Sequence, residues 1–414
     1  MLTTTLLSTI SLVCLQVLAD FNGQQPAASQ SQASAQSSSS STSQQYSSQF
    51  DVLEFANYGY TGYYQQVKSI SNMYKDSCTC ELSSDWVEFS GPTSPLDQGV
   101  SVHFRGPLIL ESFAYYVSDD YTYGDSSSSE WKRLSYFDAS SQTSDNVTFL
   151  TKAGDNSTCL GKALTYADSD GVSSASSSTL LANNTLINSD EEYVIFSNVS
   201  CGKSGINNDC GVYRSDNVAY HGFYGDIKMF LFSFQMPTES VVTDTSTDYY
   251  DLPAIWLLND HIPRTSQYPT NSNCSCWTSG CGEFDIFESI NYTERNHLYS
   301  TIHDYQGTGY IDYGISVDGY IERDTESTMS GGVVFDSQGN AIVFISNSTS
   351  FDAEISADDV NSWISSEDTE TTKTLTSVSN TKPASSGMSS TDGFLNKYFM
   401  FAMQSLCGVL LCLF

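Results

Sequence analysis

Basic side chains are scarce in this chain. Its 414 residues include only 16 lysines and arginines against 48 aspartates and glutamates, a formal net charge of -32. No cluster of basic residues interrupts this acidic excess, so the surface would repel a phosphate backbone. Charged residues still make up only 15% of the chain, too few for an acidic disordered tail. We therefore expect a folded protein that does not bind nucleic acid.

Long helical periodicity and internal repeats are also missing. Their absence argues against a helical bundle, a solenoid and a propeller. Instead, β-branched and aromatic runs are separated by short turns rich in Gly, Asn, Asp and Ser, which is typical of strands. Strands are predicted at 100–104, 108–117, 193–196, 227–236, 254–258, 284–287, 310–317 and 333–345, the last interrupted by a hairpin turn at 336–340.

The segment "IKMFLFSFQM" at 227–236 indicates how these strands are layered. Alternation places Phe232 and Phe234 on one face and Met229 and Leu231 on the other. Both faces are largely apolar, as expected for a central strand that is covered on both sides. The predicted fold is all-β: an antiparallel β-sandwich of the jelly-roll, concanavalin A-like kind.

Both ends of the chain have the pattern of processing signals. An apolar run ending in Val17-Leu18-Ala19 fits a signal peptide, with a buried N-terminal helix as the alternative. The apolar stretch 398–414 would span about 26 Å as a helix, short of a bilayer core, and fits a glycolipid-anchor signal better than a retained tail anchor. The predicted segments are a signal peptide at 1–19, a Ser/Gln-rich linker at 20–50, the β-sandwich domain at 51–365, a Ser/Thr-rich stalk at 366–391 and a GPI-anchor signal at 392–414.

Cysteines and glycosylation sequons fit a secreted chain. Outside the two predicted signals lie eight cysteines, an even set that predicts up to four disulfides with the pairing open: Cys78, Cys80, Cys159, Cys201, Cys210, Cys274, Cys276 and Cys281. Zinc binding by the last three is the alternative, but their spacing is not a common zinc pattern, so we expect neither metal nor cofactor. Sequons occur at Asn146, Asn156, Asn183, Asn198, Asn273, Asn291 and Asn347.

Three carboxylates crowd the segment "GEFDIFE". Glu283 and Asp285 share one face of the predicted strand, but strict alternation would send Glu288 into the core with the hydrophobic residues. Burying that charge is costly, so we expect a β-bulge near 286 or 287 that returns it to the face of the other acids. The alternative is a solvated strand edge that carries acids without function.

The spacing suits a glycosidase. With one bulge the two glutamate Cα atoms lie roughly 13 Å apart, and side chains leaning inward bring the carboxyls to roughly 5 Å, the separation of a retaining enzyme. One glutamate would attack the anomeric carbon and the other would protonate the leaving oxygen. The charge of Asp285 between them would raise a neighbour's pKa and help to keep the acid protonated.

Three further residues extend this candidate site. Trp256, in an apolar strand, and Trp277, in the cysteine-rich segment, would offer flat rings that stack on sugars. His303 would hydrogen-bond the acids from an adjacent strand. Each of these three residues alone is more often structural than functional.

These motifs carry a family resemblance. "AYHGFYGDIKMFLFSFQMP", "LPAIWLLNDHIPRTSQYP" and "CSCWTSGCGEFDIFE" resemble the fungal TOS-type cell-wall proteins, which are related to the laminarinase-like, family-16-type glycoside hydrolases. The resemblance covers roughly residues 85 to 350. It implies a β-glucan substrate, with Glu283 as nucleophile, Asp285 as assistant and Glu288 as acid/base.

Taken together, the expected function is a secreted, GPI-anchored cell-wall endo-β-1,3-glucanase or glucan transglycosidase with a retaining mechanism. The alternative is a glucan-binding or structural wall protein that has kept the substrate groove of such an enzyme but does not cleave glucan. Pure binding needs aromatic side chains more than converging carboxyls, which favours the enzyme.

Overall fold

A computed structural model describes residues 48–239, 249–365, 367 and 369–383. Within these ranges the chain is built mainly of strands. The strands are β1 (Val52–Ala56), β2 (Gly62–Ser71), β3 (Thr79–Phe89), β4 (Val100–Arg105), β5 (Leu108–Ser118), β6 (Trp131–Asp138), β7 (Thr143–Asp145), β8 (Thr148–Thr151), β9 (Asn156–Ser157), β10 (Gly161–Lys162), β11 (Thr165–Ala167), β12 (Ser174–Ala175), β13 (Leu186–Ile187), β14 (Glu192–Phe196), β15 (Lys228–Gln235), β16 (Ala254–Asn259), β17 (Glu283–Glu288), β18 (His297–His303), β19 (Ile315–Ser316), β20 (Ile321–Glu322), β21 (Met329–Phe335), β22 (Ala341–Ile345), β23 (Glu354–Ile355) and β24 (Glu370–Thr374).

Helices are short by comparison. The α-helices are α1 (His261–Thr265) and α2 (Ala357–Ser365), and the 3-10 helices are Ser272–Cys274, Trp277–Ser279, Tyr292–Glu294 and Ile311–Tyr313. In the described part of the chain, none of the helices has the length and apolarity needed to cross a membrane.

Two large sheets form the architecture. The first has the strand order β23-β6-β5-β15-β21-β22-β1-β24, with β13 and β7 added to β5 and β6. The second has the order β12-β11-β8-β14-β4-β16-β17-β18-β19, with β20 added to β18. Neighbouring strands are antiparallel except for β1 and β24, which are parallel. The predicted antiparallel β-sandwich is confirmed.

The main core lies between the two sheets. Phe104 of the second sheet meets Phe232 of the first with ring centroids 5.9 Å apart, and Phe287 meets Phe234 at 5.4 Å. All four rings are fully buried. Each contributes about 1.5–3 kcal/mol by burial, so these interlocking faces hold the sheets together.

The other face of the first sheet is covered by α2. Met229 and Leu231 of β15 pack there with Val360 and Trp363 of the helix. Strand β15 is therefore buried on both faces, at the centre of its sheet, as "IKMFLFSFQM" predicts. On the second sheet, the face of β17 that points away from the core carries the polar residues described below.

The predicted strand at 310–317 is wrong. This segment instead forms the 3-10 helix Ile311–Tyr313, followed by the two-residue strand β19. Tyrosine favours strands only where it packs on a neighbouring strand, whereas Tyr310 and Tyr313 are 71% and 68% exposed.

The predicted start of the stalk at 366 is also wrong. Residues 370–374 form β24, which pairs with β1 at the edge of the first sheet, and Leu375 after it is buried in the main core. The composition of "ETTKT" does not distinguish a strand from a stalk. On an edge strand its residues alternate between exposed and half-buried positions, and β-branched threonines suit such a strand as well as they suit a stalk. The predicted signal peptide, most of the linker, the rest of the stalk from 384 and the anchor signal lie outside the described residues.

This boundary predicts the effect of truncation. A chain ending at 365 should lose about 2–5 kcal/mol in free energy of unfolding relative to one ending at 383, because the buried Leu375 and the edge pairing of β24 are removed. Urea denaturation of the two secreted chains measures the difference. Equal midpoints and equal slopes would mean that the domain ends where the composition predicts.

Eight cysteines form four disulfides, the number predicted. The pairs are Cys78–Cys159, Cys80–Cys274, Cys201–Cys210 and Cys276–Cys281. The first two attach the β2–β3 hairpin to the loops before β10 and β17. The same hairpin packs Tyr64 and Phe89 against Trp256 and Leu258 of β16, so it forms a fixed wall beside the polar face of the second sheet.

Candidate active site

Strand β17 contains the predicted bulge. On β16, Ile255 pairs with Phe287 and the next residue, Trp256, pairs with Asp285, so Ile286 is the extra residue. The register with β18 shifts in the same place. Ile286 and Phe287 are both fully buried in the main core. The bulge therefore keeps the hydrophobic side chains inward and brings all three acids to the opposite face.

The three acids form a row on this face. Glu283 and Asp285 are 2% and 5% exposed, and Glu288 is partly buried. Burial raises the pKa of Glu283, and the negative charge of Asp285 raises it further. Burial and Asp285 raise the pKa of Glu288 in the same way. The glutamate pair can therefore hold a proton near neutral pH, as acid catalysis requires.

Glu283 is oriented by the cysteine-rich loop. The indole Nε1 of Trp277 donates a hydrogen bond to Glu283 Oε2. Trp277 begins a 3-10 helix inside the loop closed by Cys276–Cys281. Next to this contact lies a cavity of about 140 Å³ whose lining includes Glu283, Trp277, Tyr268 and Asp312. The disulfide thus holds a donor on the carboxylate and an aromatic ring on the cavity.

Glu288 is paired with a buried cation. Arg105 Nη2 lies 3.1 Å from Glu288 Oε1, and its Nε donates to the Leu252 carbonyl at 2.8 Å. Ala254 is the cross-strand partner of both Arg105 and Glu288, and its small side chain lets the guanidinium reach across β16. The Tyr249 ring lies 4.5 Å from the guanidinium carbon. Arg105 lowers the pKa of Glu288, against the larger effect of burial.

Sequence analysis missed Arg105. Register alone brings it opposite Ala254, and the register of β4 on β16 is not readable from the sequence. One signal was available: an arginine directly follows the predicted strand 100–104 in a chain with few basic residues, and arginine is rarely buried without a partner.

Asp285 is held by His303. The two lie 3.1 Å apart through His303 Nε2 and Asp285 Oδ2, and His303 Nδ1 donates to the Ile311 carbonyl at 2.7 Å. Burial opposes protonation of His303, but the hydrogen bond to Asp285 and the charges of Asp285 and Glu283 raise its pKa to about 10. His303 therefore reaches the acid row from the adjacent strand, as predicted, and supplies positive charge. His303 is only 5% exposed, so it supports the acids from inside the protein.

Trp256 lies beside the acid row, on the neighbouring strand β16. It is the cross-strand partner of Asp285 and stacks on His103 with ring centroids 5.1 Å apart. Only 2% of Trp256 is exposed, so its faces are not open for a sugar to stack on. Its Nε1 has no hydrogen-bond partner among the described residues. Trp277, at the cavity, is better placed than Trp256 to contact a ligand.

Two models of one protein family match this chain. The family model for the C-terminal part of the cell wall protein YJL171C/Tos1 matches residues 129–363, and the model for the N-terminal part matches 51–118. The chain belongs to the Tos1/YJL171C family of cell wall proteins. The C-terminal match contains the whole acid row with Trp277 and His303, and the N-terminal match contains Arg105.

Curated relatives within the Tos1/YJL171C family extend the match. A Candida albicans protein named "Probable circularly permuted 1,3-beta-glucanase PGA52" is 60% identical over 361 residues, 86% of this chain and 93% of that protein. A Saccharomyces cerevisiae protein named "Probable circularly permuted 1,3-beta-glucanase YJL171C" is 55% identical over 346 residues, 82% of this chain and 87% of that protein. Saccharomyces cerevisiae TOS1, with the same descriptive name, is 43% identical over 57% of this chain and 50% of its own length. No solved structure matches the chain.

The indole donor to Glu283 can be tested directly. Trp277→Phe keeps an aromatic ring at the cavity but removes the N–H that binds the carboxylate, so kcat on a glucan substrate should fall roughly 10- to 100-fold. The Michaelis constant should change less, because the ring remains. Steady-state kinetics with purified wild-type and variant protein measure both. A variant with unchanged kcat would show that the indole hydrogen bond has no part in turnover.

Proposed function

We propose that this chain is a cell-wall glycoside hydrolase that acts on β-1,3-glucan by a retaining, endo-acting mechanism, with hydrolysis or glucan transfer as its outcome. The observation that carries the proposal is the bulged strand β17, which presents two glutamates and an aspartate on one face. The names of the family relatives, probable 1,3-beta-glucanases, support the substrate. The family's description as cell wall proteins supports the location.

In the first step of the proposed mechanism, ionised Glu283 attacks the anomeric carbon as Glu288 gives its proton to the departing glycosidic oxygen. The bond to the leaving sugar breaks, and a bond between carbon and the Glu283 oxygen forms. Burial and the charge of Asp285 raise the pKa of Glu283 to about 8, and the Trp277 N–H and the positive charge of His303 act against this by favouring the carboxylate form that attacks.

In the second step, Glu288, now ionised, takes a proton from the incoming hydroxyl. The hydroxyl oxygen bonds to the anomeric carbon and Glu283 leaves as a carboxylate, so the original configuration is restored. Water gives hydrolysis, and a sugar hydroxyl gives transfer. Glu288 must act as acid and then as base, and the opposing effects of burial and Arg105 on its pKa suit a group with both roles.

The test is incubation of the secreted protein with labelled β-1,3-, β-1,6- and mixed-linkage glucans and chitin oligomers, with products sized by mass. Shorter products from β-1,3-glucan indicate hydrolysis, and longer ones indicate transfer. Binding to β-1,3-glucan without either product on prolonged incubation would favour the non-catalytic wall protein. We also propose that the secreted chain is tethered by a GPI anchor, which release of the mature protein by a phosphatidylinositol-specific phospholipase would test.

A further inference from the structure

Two neighbouring tyrosines beside the acid row are largely open to solvent. Tyr310 and Tyr313 are 71% and 68% exposed, and their rings meet edge to face with centroids 6.0 Å apart. Burial of such rings would be favourable, and scattered exposed rings are common on surfaces, but two adjacent ones form a patch. Core packing does not explain their position.

The turn that carries these tyrosines is fixed to the site. The Ile311 carbonyl, between the two rings in sequence, accepts the hydrogen bond of His303 Nδ1 at 2.7 Å. Gly314, with a φ of 58°, follows Tyr313, and a Cβ atom there would lie 2.5 Å from Thr301 Cγ2. The backbone can pass this close to β18 only as glycine. The rings therefore stand on a supported turn.

The same turn reaches the cavity beside the proposed nucleophile. Asp312, between the two tyrosines, lines the cavity of about 140 Å³ together with Glu283 and Trp277. A ligand that extends out of this cavity past Asp312 would run along the turn that carries the two tyrosines. The turn that carries both rings therefore adjoins, through Asp312, the cavity that the proposed mechanism uses.

We infer that Tyr310 and Tyr313 form a binding platform for the units of a glucan chain beyond the unit held at Glu283. This inference rests on the proposed function and adds residues to it. The C–H faces of a pyranose are apolar and pack on aromatic rings, while the Asp312 carboxylate can accept sugar hydroxyls. The net charge of -32 favours an uncharged polysaccharide over an anionic one.

A second tyrosine pair lies near the opposite end of β17 and fits this role less well. The rings of Tyr250 and Tyr292 are 6.2 Å apart, and Tyr292 is 58% exposed. Tyr292 directly follows Asn291, whose sequon predicts an N-linked glycan. A glycan on Asn291 would compete for that patch, whereas the turn 306–314 has no sequon.

The local structure of the segment 310–317 supports this assignment. The run at 310–317 has strand-like composition, yet it forms the 3-10 helix Ile311–Tyr313 and only a two-residue strand after it, and both tyrosines are exposed. A segment that does not form the structure its local sequence favours, and that buries no additional side chains in exchange, is often functional. Ligand contact would supply the missing reason for aromatic residues at both positions.

The test uses the full-length secreted protein with the double substitution Tyr310→Ala/Tyr313→Ala, and laminari-oligosaccharides of increasing length. We expect kcat/KM for the longest oligosaccharide to fall about tenfold, the effect of losing roughly 1.4 kcal/mol of stacking. The shortest cleaved oligosaccharide should be turned over at the wild-type rate. Dissociation constants for the same series, measured in the Glu283→Gln background, should show the same length dependence.

Two controls accompany the double variant. Tyr310→Phe/Tyr313→Phe keeps both rings and should retain long-chain binding within about twofold. Tyr224→Ala removes a tyrosine that is 70% exposed on the turn before β15, and it should leave both substrate lengths unaffected.

The outcomes separate this inference from the proposed function. Wild-type cleavage of β-1,3-glucan with an unchanged long-chain kcat/KM in the alanine variant would overturn the platform alone. An equal loss for short and long chains would also overturn it, because it would show that the turn acts only by holding His303. A wild-type protein that neither binds nor cleaves the glucan series would overturn both proposals.

Discussion

Substitution of Glu283 by glutamine should abolish the release of reducing ends from β-1,3-glucan, with kcat lowered by about 10⁴-fold or more. The amide cannot form the glycosyl ester, so the first step has no nucleophile. The fold should persist, because the Gln Oε1 can still accept the hydrogen bond of Trp277 and the remaining packing is unchanged. Reducing-end assays and thermal denaturation of the same preparation measure the two properties.

A matched control for this substitution is Glu354→Gln. Glu354 is exposed on β23, in the other sheet, with Lys132 of β6 as its cross-strand partner, and its loss should leave kcat within about twofold of wild type. Full activity of Glu283→Gln would contradict the assignment of the nucleophile. A loss that is matched by a lower melting temperature would show damage to the fold instead.

Substitution of Arg105 by methionine should have the second largest effect. Methionine fills much of the arginine volume but removes the cation that favours the carboxylate form of Glu288. The protonated form of Glu288 is then favoured over the carboxylate, so the pKa of Glu288 rises further. We expect the basic limb of the kcat/KM–pH profile to move up by about one unit. The free energy of unfolding should fall by about 3–5 kcal/mol, since a buried ion pair loses one partner.

Arg105→Lys is the control for charge. It keeps a cation near Glu288 but cannot reproduce both the bond to the carboxylate and the Nε bond to the Leu252 carbonyl. Its basic limb should therefore stay close to that of wild type while its stability falls. A methionine variant whose pH profile superimposes on that of wild type would show that Arg105 does not act on the proton donor. Profiles of kcat/KM measured from acidic to alkaline pH, at constant ionic strength, distinguish these results.

The acid row was predictable from sequence because it obeys local rules. Alternation placed Glu283 and Asp285 on one face, and the cost of burying Glu288 required a bulge, which the structure has at Ile286. The contact of His303 with the row also followed from neighbouring strands. These inferences need only strand geometry and the cost of desolvating a carboxylate.

Other features depend on long-range register and could not be read from sequence. Arg105 reaches Glu288, 183 positions away, only because Ala254 pairs with both. The indole of Trp256 is covered by the β2–β3 hairpin. Disulfides hold this hairpin in place, and the spacing of the cysteines in the sequence does not show which of them pair. β24 pairs with β1 across more than 300 residues, so its polar composition gave no sign of an ordered strand.

The separate roles of the two glutamates are the central claim. They need a direct test because Arg105 favours the ionised form of Glu288, the residue assigned as the proton donor. The measurement is the anomeric configuration of the glycosyl azide formed from an aryl β-laminari-oligosaccharide by Glu283→Ala and by Glu288→Ala in the presence of azide. With Glu283 as nucleophile, azide takes its place in the first variant and gives the α-azide. In the second variant azide attacks the glycosyl-enzyme and gives the β-azide. The reverse pair of products would contradict the roles assigned here, and the absence of azide products from both variants would contradict a covalent intermediate on this row.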